Sequence, residues 1–295
     1  MTRPRRGPTR EQVIVRRAVA LAALAVVLGV IVWGAVAIGG GSPSDSSGET
    51  TSALPPPPKP LKIIFPEGFT RRDMAKRITA VDRIAKRKRG VTPKLSARAY
   101  LAATRRPRRI PGFGSKAYPL EGFLFPATYD FLPSTRSRQL VQKQLDAFQR
   151  SWKQIDLDYA KRKKLTPYDV LIIASMVERE TLAPDERGLV AAVIYNRLHA
   201  RMPLGIDATI RYALNVPGTQ SLRESQLQNP TPYNTRLHAG LPPTPIGNPG
   251  LASIQAAAHP ANVNYLYFVR KPDKVHHFFT ASFTEFQNYA NAHGF

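Results

Sequence analysis

Residues Ala18 to Ile38 read AVALAALAVVLGVIVWGAVAI, 21 positions without a single charge. As a helix this run is about 31 Å long, the thickness of a bilayer's hydrocarbon layer. Six arginines and one glutamate fill residues 1–17 in front of it. By the positive-inside rule that leader stays in the cytoplasm and the rest of the chain lies outside. The competing reading is a cleavable secretory signal, with Ala35-Val36-Ala37 as a usable cleavage site. The run exceeds the roughly 7–15 apolar residues of a typical signal, which favours a retained single-pass anchor in the cell membrane. On either reading the main folded part is extracytoplasmic, which argues against nucleic acid as a partner.

Residues 39–60 cannot pack a core. Gly and Ser make the first half flexible, and Pro55–Pro58 stiffen the second half into polyproline II. They are expected to tether a folded unit to the anchor. The net charge of +23 is concentrated beyond this tether: residues 59–117 carry 18 Lys and Arg against Glu67, Asp73 and Asp82. Such an excess draws anionic partners, either lipid head groups or acidic wall polymers, although a solvated basic face is the plainer reading. No cysteine is present, so disulfides, thiolate metal sites and a cysteine nucleophile are ruled out.

Within 61–117, Leu61 to Phe65 reads as a short strand and Pro66-Glu67-Gly68 as a turn. Thr70 then caps a helix to about Thr79, with Met74, Ile78 and Val81 on one face. In 118–295, Thr166-Pro167-Tyr168-Asp169 is a helix start with a capping box and a proline at the first position. The helix continues VLIIASMVERET, apolar nearly all round, so it is expected to be buried centrally. It delivers Glu178 and Glu180 at its C-terminal end. There the helix dipole and burial both push a carboxyl pKa upward, as a general acid near neutral pH requires. Two residues along a helix is about 200° of rotation, so the two are expected on nearly opposite sides. Periodicity does not choose between them, and the plainest alternative leaves both solvated at a frayed helix end.

A second helix is expected over PDERGLVAAVIYNRL, which carries Asn196. After it come Asp207 and Thr209, then a long Pro- and Gly-rich loop, Asn229 to Gly250. Its Tyr233, Asn234 and Thr235 suit the holding of a sugar, and loops of this length are usually functional. A short helix over Leu251–Ala258, two strands around Pro272-Asp273, and a capping box at Ser282–Glu285 complete the pattern. Six histidines are present without metal-site spacing, and His276-His277 on one strand point to opposite faces. No metal and no cofactor is expected.

LEGFLFPATYDF (Leu120–Phe131), ASMVERET (Ala174–Thr181), VAAVIYNRL (Val190–Leu198), TPYNT with GLPPTPIGNPG (Thr231–Gly250) and AAAHPANVNYLYFV (Ala256–Val269) resemble, in order, the membrane-anchored endolytic murein transglycosylases, the YceG-like family. Leu61–Val81 resembles that family's LysM-like segment. The resemblance implies an α+β protein, membrane-anchored, with a small LysM-like strand/helix module (61–117) before a mixed helical and antiparallel-sheet catalytic domain (118–295). It implies endolytic cleavage of peptidoglycan glycan strands, with cell-wall synthases as candidate partners. The carboxyl it assigns to the chemistry is the one directly followed by Thr, here Glu180. Glu121, Glu178, Asn196, Asp207, Thr209, Tyr233, Asn234 and Thr235 are candidates for substrate contact. The chain departs from the family's usual runs at Leu204–Thr209 and at Arg236, which follows Tyr233-Asn234-Thr235. A non-catalytic, peptidoglycan-binding scaffold of the synthesis machinery is the alternative.

Overall fold

The structure, a computed structural model, describes residues 59–294. The basic leader, the apolar run 18–38 and nearly all of the tether fall outside them. No helix among the described residues is long and apolar enough to cross a membrane.

The chain enters the fold as β1 (Leu61–Ile64), with Leu61 and Ile63 inward and Lys62 and Ile64 outward. After the Pro66–Gly68 turn, α1 spans Arg71–Arg89. The expected capping box is present: Asp73 N–H donates to Thr70 Oγ1, and Asp73 Oδ2 accepts from Thr70 N–H and O–H. The helix runs about ten residues past Thr79, where the apolar spacing fades. Ala85 is still buried, and Lys86 to Arg89 sit in the last turn, where cations favour the negative end of the helix dipole. Gly90, in the left-handed region, stops it.

Helix α2 (Ala97–Arg105) packs on α1, and its buried Tyr100 donates to Gln144 Oε1 at 2.7 Å. Two short strands follow, β2 (Arg108–Arg109) and β3 (Ala117–Tyr118), paired with each other. Strand β4 (Thr128–Phe131) then returns antiparallel to β1, with Leu61 opposite Phe131. The unit that β1 opens therefore closes only at β4. Residue 117 marks a change of charge rather than of packing: Pro57–Phe295 is one compact unit with a continuous core from Leu61 to Ala258.

Helix α3 (Ser137–Trp152) buries Phe148 and Trp152 in an aromatic cluster with Phe113 and Phe123. After the short α4 (Asp158–Arg162) comes α5 (Pro167–Glu180), opened by Thr166 and Asp169 as its sequence requires. Val170 to Val177 are all buried, so α5 is the central helix. A 3-10 turn (Pro184–Glu186) leads into α6 (Arg187–His199), then α7 (Asp207–Leu214) and α8 (Glu224–Leu227). The stretch from Asn229 to Gly250 has no helix or strand and leads into α9 (Leu251–Ala258), which packs against α5 and α6. Strands β5 (Tyr267–Arg270) and β6 (His277–Thr280) form an antiparallel pair. The closing helix is α10 (Phe283–His293). Only half of its capping box forms: Ser282 Oγ accepts from Glu285 N–H, but the Glu285 carboxylate accepts instead from the Thr280 hydroxyl. The fold is thus α+β, with helices around three small antiparallel pairs.

Candidate active site

A cleft of about 520 Å³ opens at the C-terminal end of α5. Four separate parts of the chain supply its charged groups: Glu67 from the turn after β1, Glu178, Arg179 and Glu180 from the end of α5, Asp207 and Arg211 from α7, and Arg270 from β5. The aromatic ring of Phe268 and the imidazole of His277 complete one wall.

Glu178 and Glu180 line the same cleft although helix geometry sets them on nearly opposite sides. Glu180 is the last helical residue and Thr181 is already extended. No further turn stands between the two side chains, and the cleft wraps around the helix end. Their surroundings differ. Glu178 Oε2 accepts from Gly250 N–H at 3.0 Å, which ties it to the end of the Pro-rich loop. Gly250 lets the Glu67 carboxylate lie against the loop end, since a Cβ there would make that carboxylate swing aside. Glu67 itself is held above the usual carboxylate range, first by partial burial and then by Glu178, with Arg187 opposing.

Glu180 is half-buried, yet enough protein surrounds it for desolvation to dominate its titration. Its pKa is raised by burial and then by the charge of Asp207. Arg270, the Ala208 backbone N–H and Arg179 pull the other way. Asp207 is fixed by Arg236, Nε to Oδ1 at 2.8 Å. Arg236, a departure from the family's run, therefore pairs beside Glu180 with Asp207, a residue that the altered Leu204–Thr209 run keeps.

The other candidate contact residues lie away from this cleft with their polar groups already engaged. Glu121 is buried, accepts from Arg71 N–H and the Asn248 amide, and receives the Tyr212 hydroxyl. Burial pushes its pKa up to about 7, against the pull of Arg71. Asn196 donates its amide to the carbonyls of Val263 and Tyr265, at 2.9 and 2.8 Å. Thr209 and Thr235 are buried side by side, 3.2 Å between hydroxyls, and Thr235 Oγ1 also receives Ile206 N–H. Asn234 is fully buried and donates to the carbonyls of Leu227 and Asn229. The Tyr233 hydroxyl bonds Thr244 Oγ1 at 2.7 Å. Apart from Asn196, which ties α6 to the segment before β5, these residues make bonds within or to the long loop.

The cleft residues not picked out from sequence include Glu67, Arg179, Arg211, Phe268, Arg270 and His277. Glu67 lies in a turn whose pattern matched the family, but only tertiary packing brings it beside residue 178. His277 is buried, with Nδ1 2.7 Å from Glu186 Oε2 and its backbone N–H on Glu186 Oε1 at 2.9 Å. This pair fixes β6 to the 3-10 turn. His276 faces solvent beside Asp273, as strand alternation requires. Among the described residues there is no group of three or more His, Cys, Asp or Glu placed to hold a metal.

The chain is similar to known proteins in three ways. The YceG-like family profile matches residues 42–292. The endolytic murein transglycosylase of Bacillus subtilis (strain 168) is 38% identical over 158 residues, 52% of this chain and 42% of that protein. The protein of the same name from Streptococcus pneumoniae (strain ATCC BAA-255 / R6) is 38% identical over 158 residues, 52% of this chain and 28% of its own. The matched part thus spans less than half the length of these relatives. The crystal structure of a yceG-like protein from Listeria monocytogenes superposes with a TM-score of 0.64 at 28% identity, covering 77% of this chain and 75% of that one. With a family profile spanning nearly the whole chain and a solved relative of matching fold, this chain belongs to the YceG-like family.

Proposed function

We propose that the chain is an endolytic murein transglycosylase, a lyase that cuts the bond between N-acetylmuramic acid and N-acetylglucosamine within peptidoglycan strands. The observation that carries this reading is Glu180: a carboxyl at the end of a buried central helix, opening into the cleft beside Asp207, with its pKa raised by burial. Protonated, it donates to the glycosidic oxygen. The positive charge growing at the anomeric carbon is relieved by the sugar's own N-acetyl group. The resulting carboxylate then takes the proton of the muramic 6-hydroxyl as that oxygen attacks the same carbon. The product is a 1,6-anhydro end, and no water is consumed. Because the nucleophile belongs to the substrate, catalysis rests on positioning and on one proton donor. A hydrolase would need a second carboxyl to activate water; Asp207 is occupied by Arg236 and Glu178 by Gly250 N–H, so that route would have to use Glu67. Mass spectrometry of products released from isolated sacculi tests the reading: anhydro ends support it, and reducing ends replace it with hydrolysis.

Burial sets the pH range of this chemistry first, and Asp207 adjusts it. The active form is the protonated one, so activity falls as pH rises through the Glu180 pKa. Asp207→Asn removes a charge that raises that pKa and frees Arg236, and both effects lower it. The alkaline limb of the pH profile of kcat/KM is therefore expected to move to lower pH.

The rest of the assignment follows from the sequence. Residues 18–38 would act as a retained single-pass anchor, residues 39–60 as its tether, and the cleft would lie outside the cytoplasm. The strand–helix–helix–strand order of β1, α1, α2 and β4 supports the LysM-like reading of the first segment. Cell-wall synthases are the partners this placement favours. A non-catalytic scaffold would have no use for a carboxyl whose pKa is raised in a cleft.

A further inference from the structure

A second cavity, of about 340 Å³, adjoins the cleft and shares Arg179, Arg211 and Gly218 with it, so the two form one continuous depression. Four cations line it, Arg72, Lys76, Arg179 and Arg211, against one acid, Asp73. The Asp73 carboxylate already accepts both Thr70 groups of the α1 cap and lies 3.7 Å from Lys76. Neutral partners hold the arginines in place. Arg72 Nη2 donates to Tyr212 O at 2.7 Å, and its guanidinium lies 5.5 Å from the centre of the Tyr212 ring. Arg211 Nη1 donates to the carbonyls of Pro217 and Gln220. Carbonyls orient a guanidinium without neutralising it, so a net positive charge is left facing the cavity. Phe69, Val216 and Ile246 supply apolar surface between the cations.

The sugars of a glycan strand are uncharged apart from what the muramic lactyl groups bear, and that is a peptide with free carboxylates. We propose that this cavity takes the anionic stem peptide of a muramic residue bound in the cleft, which makes peptide-bearing strands the preferred substrate. The proposal rests on the transglycosylase reading for its substrate class, and it is tested by binding so that the two can fail separately.

The full chain in neutral detergent, carrying Glu180→Gln, is titrated calorimetrically with a muramyl tripeptide whose carboxylates are free, and with the same compound amidated. The free form is expected to bind about tenfold tighter, as fits charge-assisted contacts near a surface. In Arg72→Gln/Lys76→Gln that ratio should fall to about one, whereas Arg72→Lys/Lys76→Arg should retain it, which separates lost charge from lost folding. Equal affinity for the two forms, no binding of either, or a ratio untouched by the glutamine pair overturns the proposal. Anhydro ends released from peptide-stripped strands by the unaltered chain report on the transglycosylase reading alone.

Discussion

Glu180→Gln is expected to lower kcat on peptidoglycan strands by about three to four orders of magnitude, within the roughly 10²–10⁴-fold that one general acid–base group contributes. The loss sits at the top of that range because the same oxygen would give a proton and later take one back. KM should change little, since an amide of the same shape keeps the cleft's contours. The melting temperature should hold or rise: a buried carboxyl is costly when ionised, and the amide removes that cost. Glu178→Gln provides the contrast. Its oxygen can still accept from Gly250 N–H, so the loop end stays anchored and the rate should fall by less than about tenfold. Strand cleavage followed by mass spectrometry, with the two variants side by side, reads the difference. Equal losses from both would mean that the chemistry is shared between two carboxyls and that the single-acid mechanism is wrong.

The helix that presents these glutamates was legible in the sequence because its signals are local. Thr166, Pro167 and Asp169 act within one turn, and the run from Val170 to Val177 needs no knowledge of what covers it. The hairpin of β5 and β6 and the turn between β1 and α1 are legible for the same reason. What sequence spacing misses is the end of an element and the partner of a side chain. The periodicity of α1 fades after Val81 although the helix does not, because Ala85 and a favourable dipole carry it on. The Glu285 carboxylate fits a capping box by spacing, but Thr280, one strand back, takes it. The polar residues of the long loop look like ligands because a buried irregular backbone and a sugar both need hydroxyls and amides. In Asn234 and Thr235 the backbone wins. Glu67 and Arg270 reach the cleft only through the pairing of distant segments, and no spacing near either residue announces it.

The most consequential of those distant contacts is Asn248, and Asn248→Ala is expected to cost about 3–5 kcal/mol of stability. Its Oδ1 accepts from Gly122 N–H and Leu124 N–H, both at 2.9 Å, and its amide donates to Phe69 O and Glu121 Oε1. Its backbone pairs with Gly68 and Phe69. One fully buried side chain thus joins the turn that carries Glu67, the loop that carries Glu121, and the approach to Gly250. Alanine leaves the buried Gly122 and Leu124 N–H groups without their acceptor. The variant also removes a bond that holds the Glu121 pKa down. A carboxyl whose folded pKa lies above its unfolded value supports the fold below the unfolded pKa, and that support is lost as pH rises through the folded one. For Glu121 the loss falls between pH 4.5 and about 7, and Asn248→Ala should deepen it. Denaturant melts at pH 5 and pH 8 measure both effects. Asn248→Asp separates them, because it keeps the two accepted bonds but sets a second carboxylate against Glu121, a defect that acid relieves. If Asn248→Ala melts with the unaltered protein at both pH values, the linkage between the first turn and the catalytic cleft is not carried by this residue, and the positions of Glu67 and Glu178 must be set by packing alone.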